Sequence, residues 1–335
     1  MSTIDVAAET PALPEFDGAA EGTRHDAEAS RNYSFAKVVA ILTVTAGHWF
    51  AGTILWIPVT FGLFVFAFSS GYFTAARYGE RVERGQFWRK KLERLGLRYW
   101  VILAFITAVL VLTGQSVWHW HSLVHAFGLS GVLNWASIRN ESALGAGLWF
   151  FTLLLLFYLT YPYLVRLMRT RRAATVLLTA GFALAVTLEQ SFKVGHELWL
   201  TAYGFIAGVG WGVHKPRLSA AWMLALTLSL WAGLLLLNLV GSKDLNTVLI
   251  AAGGMAVAVW LTVATLPRWS ILDRVAALDT YLLEIFLIHM YLFSHPTGVS
   301  VLDFALSLGL ILVVSVVLGH IADRLSARMF NARRA

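Results

Sequence analysis

Two ionisable side chains, Lys37 and His48, sit eleven residues apart in the first long apolar run of this chain, Phe35 to Ile57. An ionisable group in a hydrocarbon-facing segment is costly, so each is expected to face protein or water and to serve a function. On a helix rising about 1.5 Å per residue, Lys37 lies near one membrane face and His48 roughly 16 Å deeper. Imidazole titrates near neutrality and suits a general base, while a cation at the mouth suits a charged donor. The competing reading of His48 is a packing histidine bonded to neighbouring carbonyls or hydroxyls.

Further polar positions recur in apolar surroundings. The second apolar run holds Phe66-Ala67-Phe68-Ser69-Ser70-Gly71-Tyr72, where small residues read first as a helix-packing seam. Lys91, Arg94 and Arg98 are spaced three and four apart, which puts them on one face of a helix expected over Gln86 to Tyr99. That ridge suits phosphates, or alternatively anionic lipid. Trp149 opens a later span, and Tyr281, Glu284 and His289 fall within another. Glu284 and His289 are five apart and do not quite share a face, but each must face protein or water. His119, His121 and His125 alternate with Trp118 and Trp120 in a loop, a pattern that reads as an interfacial aromatic belt, so no metal site is expected.

These residues need a membrane-spanning scaffold. Hydrophobic residues make up 58% of the 335 and charged residues 13%, with mean hydropathy +0.68, whereas a soluble domain carries about 25% charged residues. Runs long enough to cross a bilayer, about 17 to 25 residues each, read at roughly 35–53, 56–76, 97–114, 147–168, 174–190, 196–213, 219–238, 246–266, 277–294 and 301–321. The expected fold is an all-α polytopic integral membrane protein of about ten transmembrane helices with both termini cytoplasmic. Of the 26 basic residues, only Arg139, Lys193 and Lys243 then fall outside, as the positive-inside rule requires. The +7 net charge is thus a topology signal and not a nucleic-acid footprint.

Residues 1–33 are acidic and rich in Ala and Pro, and read as a disordered cytoplasmic tail with no cleavable signal peptide. Residues 34–322 form the expected membrane domain and 323–335 a basic cytoplasmic tail. The chain has no cysteine, which removes disulfides, thiolate catalysis and Cys-ligated metals. The outer loop from Gln115 to Gly147 includes Phe127 to Ile138, amphipathic but too short to span, and reads as an interfacial or re-entrant segment.

Several of these signals, in this order, resemble the membrane-bound acyltransferase family 3. Lys37 to His48 keeps that family's spacing of a cation, ten residues and a histidine, with Lys in place of Arg. Phe66 to Tyr72 is similar to its Phe-x-x-Ser-Gly-Phe, Lys91-Leu92-Glu93-Arg94 to its Arg-x-x-Arg, and Leu97 stands where a proline is usual. Trp149 resembles the aromatic start of the fourth helix, and Phe286-Leu287-Ile288-His289 the late Tyr-Leu-x-His motif. The resemblance covers about 34–322 and implies a ten-helix O-acyltransferase of a bacterial inner membrane. It further implies acyl-CoA, most often acetyl-CoA, as co-substrate with no bound cofactor, and a saccharide or lipid-linked glycan as acceptor. His48 is then the expected catalytic base. Lys37, Lys91, Arg94 and Arg98 are expected to bind the donor, with Ser69, Ser70, Trp149, Tyr281, Glu284 and His289 in support.

A reading from another class is a transporter or flippase for a lipid-linked or polysaccharide intermediate, with His48, Glu284 and His289 on a proton or substrate path. A third is a noncatalytic membrane partner of a glycan-assembly complex.

Overall fold

The computed structural model describes residues 18–80, 82–192 and 198–331; described side chains begin at Asp26 and end at Met329. Thirteen α-helices follow one another, and no strand occurs among the described residues. They are α1 (Gly18–Trp49), α2 (Trp56–Tyr78), α3 (Arg84–Leu112), α4 (Trp120–Ala126), α5 (Ser130–Trp135), α6 (Trp149–Leu167) and α7 (Arg171–Ser191). The second half holds α8 (Leu198–His214), α9 (Ala220–Leu239), α10 (Asn246–Val263), α11 (Ser270–Ala276), α12 (Leu282–Ile288) and α13 (Ser300–Asn331). Two 3-10 turns, Ala277–Tyr281 and His289–Tyr291, flank α12.

Among the described residues, seven helices, α2, α3, α6, α7, α9, α10 and α13, are long and apolar enough to cross a bilayer, where the sequence led us to expect ten spans. Three expected spans account for the difference, each for a physical reason. The apolar half of α1 is diluted by Lys37 and His48 and ends at Trp49. The helix α8, with 17 described residues, is at the lower limit of a span, and residues 193–197 before it lie outside the described residues. The segment 277–294 is broken into the short α12 and its two 3-10 turns.

Both expected tails are partly helical. Residues 1–17 lie outside the described residues, but α1 already begins at Gly18, and Asn32 and Tyr33 are buried. The amide of Asn32 donates to the carbonyls of Leu261 (3.1 Å) and Ala264 (2.7 Å), and the Tyr33 hydroxyl donates to Ala258 O (2.5 Å). Arg31 pairs with Asp273 at 2.7 Å. The start of α1 is thereby stitched to the end of α10 and to α11, so the tail ends well before residue 33. Beyond Ala322, α13 runs on to Asn331. Lys193, placed outside by the charge bias, is not among the described residues.

The basic ridge is the first half of α3 and not a separate surface helix. Its start is set by Glu83, whose carboxylate accepts from the amides of Gly85 (3.1 Å) and Gln86 (2.8 Å), an N-cap that satisfies otherwise orphaned donors.

The small-residue run of α2 packs against α8 almost backbone to backbone. A β-carbon on Gly208 would lie 2.0 Å from Phe68 O, and one on Gly71 would lie 2.3 Å from Phe205 O. Only glycine permits this approach, which confirms the packing-seam reading and fixes the face of α2 opposite the seam.

Candidate active site

The opposite face of α2, together with α1, α3, α6 and α12, borders a basic cavity, and smaller spaces lie around His48 at the other end of α1. At the Lys37 end is a cavity of about 500 Å³ lined by Lys37, Arg77, Lys90, Lys91, Arg94 and Arg98, with Ser69, Ser70 and Tyr158. Lys37, six residues after the Arg31 anchor on α1, does not stand free there: it pairs with Asp279 at 2.5 Å, and Asp279 also accepts from Ser34 Oγ at 2.7 Å. Lys91 lies over the Tyr158 ring, 4.0 Å from its centroid, a cation–π contact that holds the ammonium against the wall. The Tyr158 hydroxyl meets Ser70 Oγ at 3.1 Å, while Ser69 Oγ donates to Phe66 O at 2.8 Å.

Arg98 lines the same cavity but is engaged on its far side. One of its terminal nitrogens bonds Glu284 (3.1 Å) and the carbonyl of Thr280 (2.9 Å), and the other bonds Asp323 (2.7 Å). Glu284, only 1% exposed, is therefore the inner partner of an ion triad joining α3, α12 and α13. Tyr281 stacks on His320 of α13, with ring centroids 5.9 Å apart. Of the support residues expected from the sequence, Glu284 and Tyr281 thus face α13 and lie outside the cavity lining.

At the other end of α1, His48 borders two smaller spaces. One, of about 170 Å³, is lined with Thr53, Trp56 and Trp149; the other, of about 220 Å³, with Asn134, Asn140, Gly147 and Trp149. The rings of His48 and His289 lie 5.2 Å apart, centroid to centroid. His289 is fully buried, and its Nδ1 lies 2.6 Å from Phe286 O. A carbonyl only accepts, so Nδ1 carries the proton and a neutral His289 presents a bare lone pair at Nε2. No hydrogen-bond partner for that nitrogen is found among the described residues. The helix does not pair Glu284 with His289; instead it directs them to opposite sides of α12, one to α13 and one to α1.

Phe66, Phe150 and Phe286 separate the two spaces. Phe150 packs on Phe66 (5.2 Å) and Phe286 (4.5 Å), and all three line the basic cavity. Behind them, Phe286 meets the edge of His289 (5.8 Å), and Trp149 meets Phe150 (5.7 Å). Ser69 and Ser70 belong to the basic side. They lie six and seven residues beyond Leu63, which lines the His48 space, a rise of about 10 Å along α2.

The outer loop closes the His48 end. Thr152 Oγ1 donates to Gly128 O (2.7 Å) and accepts from Gly131 N (2.8 Å), Tyr99 stacks on Phe151 at 3.9 Å and donates its hydroxyl to His125 O, and Gly145 N donates to Tyr291 (2.9 Å). Within the loop, His125 Nδ1 meets Ser130 Oγ at 2.8 Å and Nε2 meets Asn140 Oδ1 at 3.2 Å. Burial holds its pKa below the usual histidine value, so the ring stays neutral and locks Asn140 into the cavity wall.

Sequence reasoning missed Asp279, Tyr158, the aromatic partition and Asn140. Asp279 had a readable signal, as an acidic side chain two residues before Tyr281 in an apolar run and so in need of a cation. Tyr158 and Asn140 had none, because only the tertiary fold brings them to the cavities.

No curated protein and no solved structure matches this chain. The family profile described as Acyltransferase domain matches residues 31–320, a stretch that contains every residue of both spaces, and the chain, a helical membrane protein, belongs to acyltransferase family 3.

Proposed function

We propose that this protein moves an acyl group, acetyl being the expected one, from cytoplasmic acyl-CoA to a hydroxyl of a saccharide or lipid-linked glycan, with His48 as general base. The observation that carries this reading is the pairing of a cation-lined cavity at the Lys37 end of α1 with smaller spaces bordered by His48 at its other end, with Phe66, Phe150 and Phe286 packed on one another at the edge of the first. Both termini and the Lys37 end then face the cytoplasm, in a bacterial inner membrane.

Donor phosphates are held by Lys91 and Arg94, the ridge cations without a carboxylate partner in the cavity, while Lys37 exchanges Asp279 for phosphate and Arg98 keeps its triad. The thioester arm extends along α1 toward His48. His48 takes the proton of the acceptor hydroxyl as its oxygen bonds to the thioester carbonyl carbon; the carbon–sulfur bond then breaks, and the CoA sulfur leaves with a proton. His289, packed against His48 with a bare nitrogen, positions the base and accepts from it as it becomes charged.

Calorimetry of acetyl-CoA with purified protein tests the assignment, with Lys37→Ala, Arg94→Ala and His48→Ala in parallel. Binding lost in the cation variants but kept in His48→Ala is the expected result. Absence of binding to any acyl-CoA ester overturns the reading and favours a transporter.

A further inference from the structure

The outer loop contains a second constellation, independent of acyl transfer. The rings of His119 and His121 lie within 13° of parallel, with centroids 5.0 Å apart and Nδ1 facing Nδ1 at 3.0 Å. The two Nδ1 atoms, each of which offers a lone pair when unprotonated, are therefore close enough to share one ion. Glu141, from the far arm of the loop, contacts the opposite nitrogen of His119, with Oε2 2.8 Å from Nε2. His121 is buried, at 3% exposure, beneath Trp120, whose ring lies 3.8 Å from it. Among the described residues, these three side chains are the group of His, Asp and Glu whose ligand atoms all lie within 4.8 Å of one another.

We propose that His119 and His121 bind a zinc-class divalent metal ion through their Nδ1 atoms, with Glu141 orienting His119 from Nε2 and water completing the coordination. A carboxylate accepts, so His119 carries its proton on Nε2 and its Nδ1 is bare. The 3.0 Å gap is then bridged by one proton, on His121 Nδ1. An ion with zinc–nitrogen bonds of about 2.0–2.1 Å in tetrahedral geometry needs the two nitrogens about 3.3 Å apart, so it replaces that proton with a shift of a few tenths of an ångström. The carboxylate on the far nitrogen is the arrangement that fixes the tautomer and ring direction of a metal-bound histidine. Alternation with tryptophan made these residues look like an interfacial belt in the sequence; the fold turns two of them toward each other and brings Glu141 across from the other arm.

The ion would fix the first arm of the loop, and Glu141 would tie its His119 ligand to the far arm. Glu141 adjoins Asn140, which lines the wall of the His48 space, and Ser122 Oγ meets Ser142 Oγ at 2.8 Å beside it.

The test is zinc content and affinity of the purified full-length protein, by mass spectrometry after dialysis and by competition with a chromogenic chelator, with cobalt(II) absorption as the geometric readout. One equivalent per chain and tetrahedral cobalt bands are expected. His119→Gln, at a partly exposed position, should lose the equivalent with its thermal transition in the metal-free state unchanged. Glu141→Gln should weaken affinity about 10- to 100-fold, and His320→Gln, on α13, should change nothing. No zinc retained, or zinc retained by His119→Gln, would overturn the proposal and leave a hydrogen-bonded histidine pair.

Discussion

The two ends of the path are built from different materials. The Lys37 end is roomy and dense in cations, several of them held by Asp279, Glu284 or the Tyr158 ring. The His48 end is narrow, aromatic and lined with amides and glycine, and its ionisable groups are the two imidazoles, one at its wall and one stacked behind. A charged ligand is strongly favoured at the first end and poorly accommodated at the second, where an uncharged hydroxyl and a neutral base fit. On the proposed function, recognition and chemistry are separated in space, and substitutions should separate them too.

The sharpest break of that comparison is His48→Ala, for which we expect acyl transfer to fall by about 10²–10⁴-fold with acetyl-CoA affinity unchanged, measured by product mass spectrometry and calorimetry on the same preparation. Parallel losses in both readouts would mean that the two ends are not independent. Next, Arg94→Ala should weaken donor binding about 10-fold or more, as removal of a charge-assisted contact does, and leave turnover at saturating donor near the wild-type value. Glu284→Gln should touch neither end: it disturbs the buried triad with Arg98 and Asp323, and a stability loss of about 1–3 kcal/mol in thermal or denaturant unfolding, with donor affinity nearly intact, is expected. Changed donor affinity would place the triad inside the recognition end.

The smallest effect concerns pH. Burial lowers the pKa of His125, so the folded loop prefers the neutral ring and the unfolded chain takes up a proton first as pH falls. The contribution of His125 to loop stability is thus fully present above its ordinary pKa of about 6.5 and declines as pH drops below it. Hydrogen-exchange protection over 120–144, corrected for the intrinsic pH dependence of amide exchange, should fall on acidification through that range in the wild type and stay flat in His125→Asn.

How much of this could be read from the chain depends on whether the signal is local. The Lys37–His48 spacing, the α3 ridge and the α2 seam are periodic features of single helices, and each set lies within one helix of the fold. The span count was less legible, because 277–294 is apolar enough to look continuous but is broken by 3-10 turns on either side of α12. Five residues on a regular helix lie about 140° apart, which argues against a Glu284–His289 pair, but which neighbour each one meets is decided by the tertiary fold. Pairings across long separations, such as Lys37 with Asp279 or His125 with Asn140, have no periodic signature and emerge only from tertiary packing.

The glycine contact between α2 and α8 has a mechanical consequence. With Gly71 and Gly208 seated against opposing backbone, those two helices form one stiff rail, and sliding either would drive carbonyl into carbonyl. On the proposed route, passage of a thioester past Phe66, Phe150 and Phe286 then falls to ring rotation and to α12, a short helix set between two 3-10 turns. The same fifteen residues, 277–291, carry His289 to the ring of His48.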